Sequence, residues 1–333
     1  MAKKIRVGVI GVGGYAQGNI RRFLELPDIE ITDIVDTNPE RFVVTRHTFP
    51  QLANAVEHVD YRKMLKESDI DAVYISSPHT LHYQQIMDSM RAGRHVLCDK
   101  PMVCKITHAK NVVKKAEETG LVMMIAYQRH YQGPFIYMRE QVQSGALGKL
   151  QFITAFQSQN WLKSQRGKWR QTMALSGGGQ LNDSGSHLLD IIMWIAGEPV
   201  TEVSAFSEHF DTEVDINTAV KMQFENGALG TISVVGDGCK FWEEILICGS
   251  KGQLIYHQGS LTHITEVAGP TLQLSFPQTT ANPVANFVEC IRDKKAVNHT
   301  PALCGLRTIE LTEAAWKSAA SNGKVVKVPR SKV

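Results

Sequence analysis

The first third of the chain alternates short apolar runs, rich in β-branched residues, with amphipathic stretches. The apolar runs predict strands over residues 5–10, 30–35, 72–76, 95–98 and 122–126. The amphipathic stretches predict helices over residues 15–26, 39–49, 61–67, 80–92 and 107–119. Strands that alternate with helices are typical of a parallel sheet with crossover connections. We therefore predict a doubly wound α/β domain over residues 1–128.

Beyond about residue 128 the pattern changes to longer alternating runs that are separated by turn residues. These runs predict strands over residues 150–159, 200–210, 217–225, 228–235, 244–248 and 253–257. Asn226-Gly227 joins two of them and is a strong signal for a hairpin. Helices are predicted over residues 184–196, 283–294 and 308–322, and the last is a candidate to pack back on the first domain. We predict an α+β domain over residues 129–333 with a large, mostly antiparallel open sheet.

The composition is that of a globular chain, because 43% of its 333 residues are hydrophobic and 21% are charged. This balance excludes disordered and collagen-like classes, and the length fits two domains. Lys and Arg number 36 against 33 Asp and Glu without a basic block, so we expect neither a nucleic-acid nor a membrane partner. The six cysteines form no CxxC pair, which predicts reduced thiols. The N-terminal residues lack a signal-peptide pattern, so we expect a cytoplasmic protein.

A glycine-rich turn directly follows the first predicted strand, as G-x-G-x-x-A at residues 11–16. Gly11 permits a tight turn, Gly13 lets the backbone approach a pyrophosphate, and Ala16 keeps the following helix close to the sheet. The N-terminus of that helix offers N–H groups to phosphates. Asp36 ends the second strand 20 residues after Ala16, where a carboxylate accepts hydrogen bonds from ribose hydroxyls. The motif predicts a Rossmann-type site for NAD, with NADP less favoured because Asp36 would repel a 2′-phosphate.

Other interpretations of this motif stay open. Arg41 and Arg46 lie on the next predicted helix and could reach a 2′-phosphate. A methyltransferase that binds S-adenosylmethionine shares the strand, the glycine turn and the acid.

Further polar residues follow the third and fourth strands. Ser76, Pro78 and His79 end the third strand, and His82 follows on the next helix. Each histidine could pack beside the cofactor or serve only the start of the helix. Asp99 and Lys100 end the fourth strand, at the edge where doubly wound sheets bind ligands. Lys100 is either a solvated loop residue or a cation that holds a substrate hydroxyl and tunes a neighbouring base.

A glycine-rich stretch over residues 177–190 leads into the predicted helix 184–196. Asp183 and His187 are spaced one helical turn apart, as in a general base with an orienting carboxylate. The alternative for Asp183 is a plain helix N-cap, and the alternative for His187 is a histidine satisfied by that cap.

These segments together resemble one family of dehydrogenases over the whole chain, the glucose-fructose oxidoreductase, inositol dehydrogenase and rhizopine-catabolism (Gfo/Idh/MocA) family. The resemblance is carried by residues 11–16, 70–78 with His82, 92–101, Trp169-Arg170, and 177–190 with Asp183, His187 and Asp190. Asp99 replaces the family's usual Glu, His79 its frequent Asn, and Gln171 the acid that often follows the Trp-Arg pair.

The resemblance implies a catalytic set made of Lys100, Asp183 and His187. His187 would take the proton of a secondary hydroxyl, Lys100 would hydrogen-bond the substrate oxygen, and Asp183 would orient His187 or bind a neighbouring hydroxyl. Arg129 is expected to line the cleft and to contact the substrate together with these three. The residues expected to contact the cofactor are Gly11, Gly13, Gly14, Tyr15, Ala16, Asp36, Ser76, Pro78, His79, His82, Asp99, Lys100, Trp169 and Arg170.

The resulting prediction is an NAD-dependent oxidoreductase without a metal. It would transfer a hydride between the nicotinamide and a secondary hydroxyl or ketone of a cyclic polyol, sugar or sugar derivative. We expect a homodimer or homotetramer formed through the second-domain sheet. One alternative is a non-catalytic NAD(P)-binding sensor or regulatory protein of the same fold. Another is a metal-dependent dehydrogenase in which Asp183, His187 and a second histidine hold zinc.

Overall fold

The computed structural model describes residues 3–266, 269–277 and 279–332. Its first part contains β1 (Ile5–Ile10), α1 (Ala16–Leu24), β2 (Ile29–Val35), α2 (Glu40–Thr48), β3 (Val56–His58), α3 (Tyr61–Glu67), β4 (Ala72–Ile75), α4 (His79–Arg91), β5 (His95–Cys98), α5 (Ile106–Thr119) and β6 (Met123–Ile125). The six strands are parallel in the order β3-β2-β1-β4-β5-β6. The chain order reverses direction between β1 and β4, and ligands bind at such a switch point.

The rest of the chain forms a second sheet with helices. Its elements are α6 (Gly133–Gln143), β7 (Leu150–Asn160), α7 (Trp161–Ser164), α8 (Met173–Ser176), α9 (Gly185–Ala196), β8 (Val200–Glu208), β9 (Asn217–Phe224), β10 (Leu229–Val235), β11 (Asp237–Gly249), β12 (Gln253–His257), β13 (Ser260–Ile264), β14 (Thr271–Leu274), α10 (Pro283–Arg292), α11 (Ala302–Ala320) and β15 (Val326–Lys327). The strand order is β14-β13-β12-β11-β7-β10-β9-β8-β15. Among the described strands of this second sheet, only β7 and β10 pair in parallel. The two sheets confirm the predicted fold class.

The sequence pattern missed several elements. β3 is a three-residue edge strand on which Val56 and Glu57 are exposed, so it has no apolar run to reveal it. α6 begins with Gly133-Pro134, a pair that also occurs in turns, although proline is well suited to the first turn of a helix. The strands β14 and β15 are likewise short and mostly exposed, whereas β13 has five residues of which Leu261 is the one fully buried apolar residue. The hairpin at Asn226-Gly227 is confirmed, and Gly227 has a φ of +85° in the turn between β9 and β10.

Helix α11 packs on both sheets and on helix α5. It begins at Ala302, six residues before the predicted start, because Pro301 precedes it. Its Leu306 and Ile309 lie in the core of the first domain, whereas Leu311 lies in the core of the second. Gly305 allows close approach, since a β-carbon there would lie 2.7 Å from Met102 Cβ. One helix therefore joins the two cores.

The second sheet has two different faces. Helix α9 covers one face with the apolar stripe that its spacing predicted, and its Leu188, Ile191, Ile192 and Ile195 are fully buried. The other face, called the open face below, carries exposed apolar side chains on four strands, namely Phe156, Phe206, Leu229 and Ile255. No helix among the described residues is long and apolar enough to cross a membrane.

Candidate active site

The glycine turn after β1 has the shape that a dinucleotide requires. Gly11 has a φ of +86°, and a β-carbon on it would lie 2.7 Å from the carbonyl oxygen of Ser76 on the neighbouring strand segment. Gly13 and Gly14 have open space where a side chain would stand. The first turn of α1 receives no side-chain cap from Tyr15, so its N–H groups remain available to an anion. The residues present therefore fit the pyrophosphate of NAD.

Asp36 is anchored at the edge of this turn. Its carboxylate accepts hydrogen bonds from the backbone N–H groups of Val12, at 3.1 Å, and Asn38, at 3.0 Å. Arg46 is committed elsewhere, because it pairs with Glu57 and donates to the carbonyl oxygen of Ala55. Arg46 is thus not free for a 2′-phosphate, which supports the preference for NAD.

Asp183 is the centre of a charged cluster that joins the two domains. Lys100 Nζ lies 2.6 Å from Asp183 Oδ1, and Arg170 Nε lies 3.1 Å from Oδ2. Trp161 Nε1 donates to the same Oδ2 at 2.8 Å. Burial alone would raise the pKa of Asp183, but the charges of Lys100 and Arg170 hold this pKa well below its usual range. The structure thus brings together Lys100 of the first domain and Asp183 of the second.

The surroundings of Asp183 differ from both predictions made for it. Its carboxylate is held by Lys100, Arg170 and Trp161, and no hydrogen bond from it to His187 occurs among the described residues. It is also not the N-cap of α9, since Ser184 has that place without a side-chain cap. The carboxylate therefore binds two cationic side chains and an indole N–H just before the start of α9.

His187 lies on the first turn of α9 with its ring edge-on to Tyr127, at 5.7 Å between ring centroids. Its Nδ1 is buried without a hydrogen-bond partner among the described residues. Burial and the positive charges of Lys100 and Arg129 lower the pKa of His187 well below 6.5. The imidazole is therefore neutral at pH 7 and able to accept a proton.

A stack of side chains connects the glycine turn to the second domain. The guanidinium carbon of Arg170 lies 4.2 Å from the ring centroid of Tyr15 and 4.3 Å from that of Trp169. Trp169 in turn meets His79 edge-on at 4.8 Å. His79 Nε2 lies 3.8 Å from Asp183 Oδ1, and burial lowers the pKa of His79 well below 6.5. Four of the expected cofactor residues thus meet at the edge of the cleft.

Four other expected cofactor residues are engaged inside the first domain, namely Ser76, Pro78, His82 and Asp99. Asp99 accepts hydrogen bonds from Asn19, from Tyr74 at 2.9 Å and from Ser76 at 2.5 Å. Burial raises the pKa of this carboxyl. His82 is fully buried, and its ring nitrogens lie 2.9 Å from the carbonyl oxygen of Pro101 and 2.8 Å from that of Ser77. Pro78 is the N-cap of α4. Asp99 and His82 therefore support the strand ends, and neither has a side-chain polar atom left over for a ligand.

Arg129 forms a second buried cluster beside His187. It pairs with Glu243 on β11, and Gln157 on β7 donates to the same carboxylate oxygen at 3.2 Å. The sequence prediction missed Glu243, Gln157 and Trp161, because each is a single polar or aromatic residue in or beside a strand without a motif around it. The only sequence signal for Gln157 on β7 and Glu243 on β11 was their alternation with apolar neighbours.

The donors around Asp183 leave no room for the predicted zinc alternative. Lys100, Arg170 and the N–H of Trp161 already bind its two oxygens, and positive groups repel a cation. The described residues bring His130, Asp190 and Cys304 together, with His130 Nε2 2.7 Å from Asp190 Oδ2. That pair ties α9 to the segment after β6, and Trp194 packs on the His130 ring.

The geometry defines the class of protein first: a dinucleotide-binding chain whose second domain covers the cofactor edge of the first. The profile of an oxidoreductase family with an NAD-binding Rossmann fold matches residues 5–127, and the GFO/IDH/MocA C-terminal domain matches residues 135–255. The chain belongs to the Gfo/Idh/MocA family of oxidoreductases. The predicted resemblance and the prediction of NAD as cofactor are confirmed.

Individual relatives are distant. A 1-carboxy-3-chloro-3,4-dihydroxycyclohexa-1,5-diene dehydrogenase of Comamonas testosteroni is 27% identical over 70% of this chain and 58% of its own length. A myo-inositol 2-dehydrogenase of Thermotoga maritima is 24% identical over 75% of this chain and 74% of its own. The WlbA dehydrogenase of Bordetella pertussis, solved with NADH and UDP-GlcNAcA, superposes with a TM-score of 0.84 at 22% identity over 99% of both chains. The last comparison establishes the shared fold.

Proposed function

We propose that the chain is an NAD-dependent dehydrogenase that acts on a secondary hydroxyl of a cyclic polyol, sugar or sugar derivative. The observation that carries this proposal is the contact of 2.6 Å between Lys100 Nζ and Asp183 Oδ1 beside the neutral His187. An ammonium of the first domain there binds a carboxylate of the second, and the charge of Lys100 contributes to the lowered pKa of His187. The names of relatives, among them a myo-inositol 2-dehydrogenase and a D-glucoside 3-dehydrogenase, support this substrate class.

The residues divide the work of oxidation between them. Lys100 donates a hydrogen bond to the substrate oxygen and favours its negative charge as the proton leaves. His187 takes that proton, since its imidazole is neutral. Asp183 holds the ammonium of Lys100 in position. The glycine turn at Gly11 and Gly13 would hold NAD, which would supply the acceptor for the hydride of the carbon that bears this hydroxyl.

Turnover assays with matched variants test these roles. Purified protein is mixed with NAD and a panel of inositols and sugars, and NADH absorbance is followed. We expect Lys100→Ala and His187→Ala to lower kcat/KM by about a hundredfold or more. The exposed Lys114→Ala and His299→Ala are the controls and should keep wild-type rates.

Two results would contradict the proposal. Wild-type rates in Lys100→Ala and His187→Ala would contradict the assigned roles. Tight NADH binding without turnover of any panel member would contradict the dehydrogenase and favour a sensor of the same fold.

We also propose that the open face mediates a homodimer or homotetramer. Phe156 and Leu229 expose apolar area there on the neighbouring strands β7 and β10, and Phe206 and Ile255 add to it on β8 and β12 of the same sheet. Contiguous apolar area of this kind is typical of an interface between protein subunits.

A further inference from the structure

We propose that the buried trio of Arg129, Glu243 and Gln157 is a subsite that selects uncharged hydroxylated substrates over carboxylated ones. This inference rests on the proposed function, because it describes which sugars the same cleft accepts. It assigns a task to Glu243 and Gln157, neither of which belongs to the predicted site.

The trio lies at the substrate side of the cleft. On β7, Gln157 and Gln159 point to the same face, and the chain then reaches Trp161, which donates to Asp183. Gln159 accepts from Ser184, the residue after Asp183. Strand β7 therefore leads from Gln157 of the trio towards Trp161 in the charged cluster around Asp183. Arg129 itself is linked to His187, because its positive charge helps to lower the pKa of that imidazole.

Two polar atoms of the trio are buried and have no partner among the described residues. They are Arg129 Nη1, a donor, and Gln157 Oε1, an acceptor. Arg129 is 7% exposed and Gln157 is 1% exposed, so water satisfies neither atom well. Unpaired buried polar groups cost free energy, and in an enzyme cleft a ligand is a natural partner for them.

The two free atoms match a hydroxyl group. A hydroxyl accepts one hydrogen bond and donates another, so it can take the N–H of Arg129 and give its own proton to Gln157. A carboxylate can only accept, and it would leave the Gln157 oxygen without a donor.

The charge of the trio also disfavours a carboxylate. Glu243 accepts from Arg129 and is 3% exposed, so the pair presents no net charge to a ligand. A second carboxylate at the same guanidinium would face Glu243 at close range in a place where water screens poorly. The cluster thus works against anions even though it contains an arginine.

Removal of the Glu243 charge is the direct test. The assay compares kcat/KM for methyl pyranosides of the gluco, galacto and manno series with their uronate counterparts, in which a carboxylate replaces the CH₂OH group. We expect the wild type to favour the neutral member of its best pair by about tenfold or more, and Glu243→Gln to shift this ratio by about tenfold towards the uronate. The control Glu225→Gln removes the carboxylate of an exposed pair with Arg330 and should leave the ratio unchanged.

Each other outcome has a definite meaning. A ratio in Glu243→Gln within twofold of the wild type overturns the inference, and so does a wild type that prefers the uronate. No turnover of any neutral member by the wild type contradicts the proposed function itself. If Glu243→Gln fails to bind NADH and is therefore misfolded, the charge-balanced double variant Arg129→Gln/Glu243→Gln replaces it. The double variant should lose about tenfold in kcat/KM for the neutral sugar without a gain for the uronate, and unchanged turnover of the neutral sugar overturns the inference.

Discussion

The side chains at the centre of the site owe their properties to burial and to one another's charge. Asp183 remains ionised because Lys100 and Arg170 surround it, and His187 remains neutral because burial and the positive charges of Lys100 and Arg129 oppose its protonation. Both groups are thus deprotonated at pH 7, Asp183 as an anion and His187 as a neutral base that can take up a proton.

A stability prediction follows from the lowered pKa of His187. The unfolded chain takes up a proton on this residue near pH 6.5, whereas the folded protein does so only at much lower pH. Because the unfolded state then binds more protons, the free energy of unfolding falls as the pH drops below about 6.5. We expect His187→Asn to make this slope between pH 6 and 5 shallower by about 1 kcal/mol per pH unit, as measured by urea unfolding.

The exposed His299→Asn serves as control for that measurement and should keep the wild-type slope. An equally steep slope in His187→Asn would contradict the lowered pKa of His187.

The spacing of residues predicted which side chains would approach the cleft but not what they would touch. Lys100, Asp183 and His187 stood out because a strand end and a helix start carry them. The partners Trp161, at the start of α7, and Glu243, on β11, lie more than twenty residues away in sequence, and sequence separation says nothing about such contacts. Asp183 forms an ion pair with Lys100 instead of capping α9. This too depends on the position of a residue in the other domain.

Single elements were predictable where a local signal sets them. The glycine turn after β1 and the apolar stripe of α9 follow from the sequence alone, because backbone sterics and periodicity act over a few residues. β3 and β15 have no such signal, since their place is set by pairing with β2 and β8. Long-range pairing of short strands is a property of the whole sheet.

Two glycines near the start of α1 should respond oppositely to alanine. Gly11→Ala forces a side chain against Ser76 at a positive φ, so we expect it to lower NADH affinity by at least about tenfold and to destabilise the fold. Gly18 is exposed in the interior of α1 with its nearest neighbour at 3.6 Å, so Gly18→Ala should raise the free energy of unfolding by about 0.5–1 kcal/mol. NADH fluorescence titration and urea unfolding measure both effects. Equal NADH affinity in the two variants would contradict the assigned role of the turn.

On the scale of the whole molecule, the open face predicts assembly. Phe156→Lys/Leu229→Lys puts two charges into the proposed interface, so we expect a lower molar mass by light scattering. The control Val43→Lys/Val44→Lys changes two exposed apolar residues of α2 and should have the same molar mass as the wild type. A monomeric wild type, or an unchanged mass in the first variant, would contradict the proposed interface.

Helix α11 has a consequence for how such proteins can be recombined. Residues 302–320, together with α10 at residues 283–292, complete the core of a domain whose other parts end before residue 128. A chimera that exchanges only the N-terminal segment with a relative would therefore separate α5 from its native packing partner α11. The segments that form the first domain are discontinuous in sequence. Hybrids that exchange all of these segments together should therefore express better than hybrids with a single crossover.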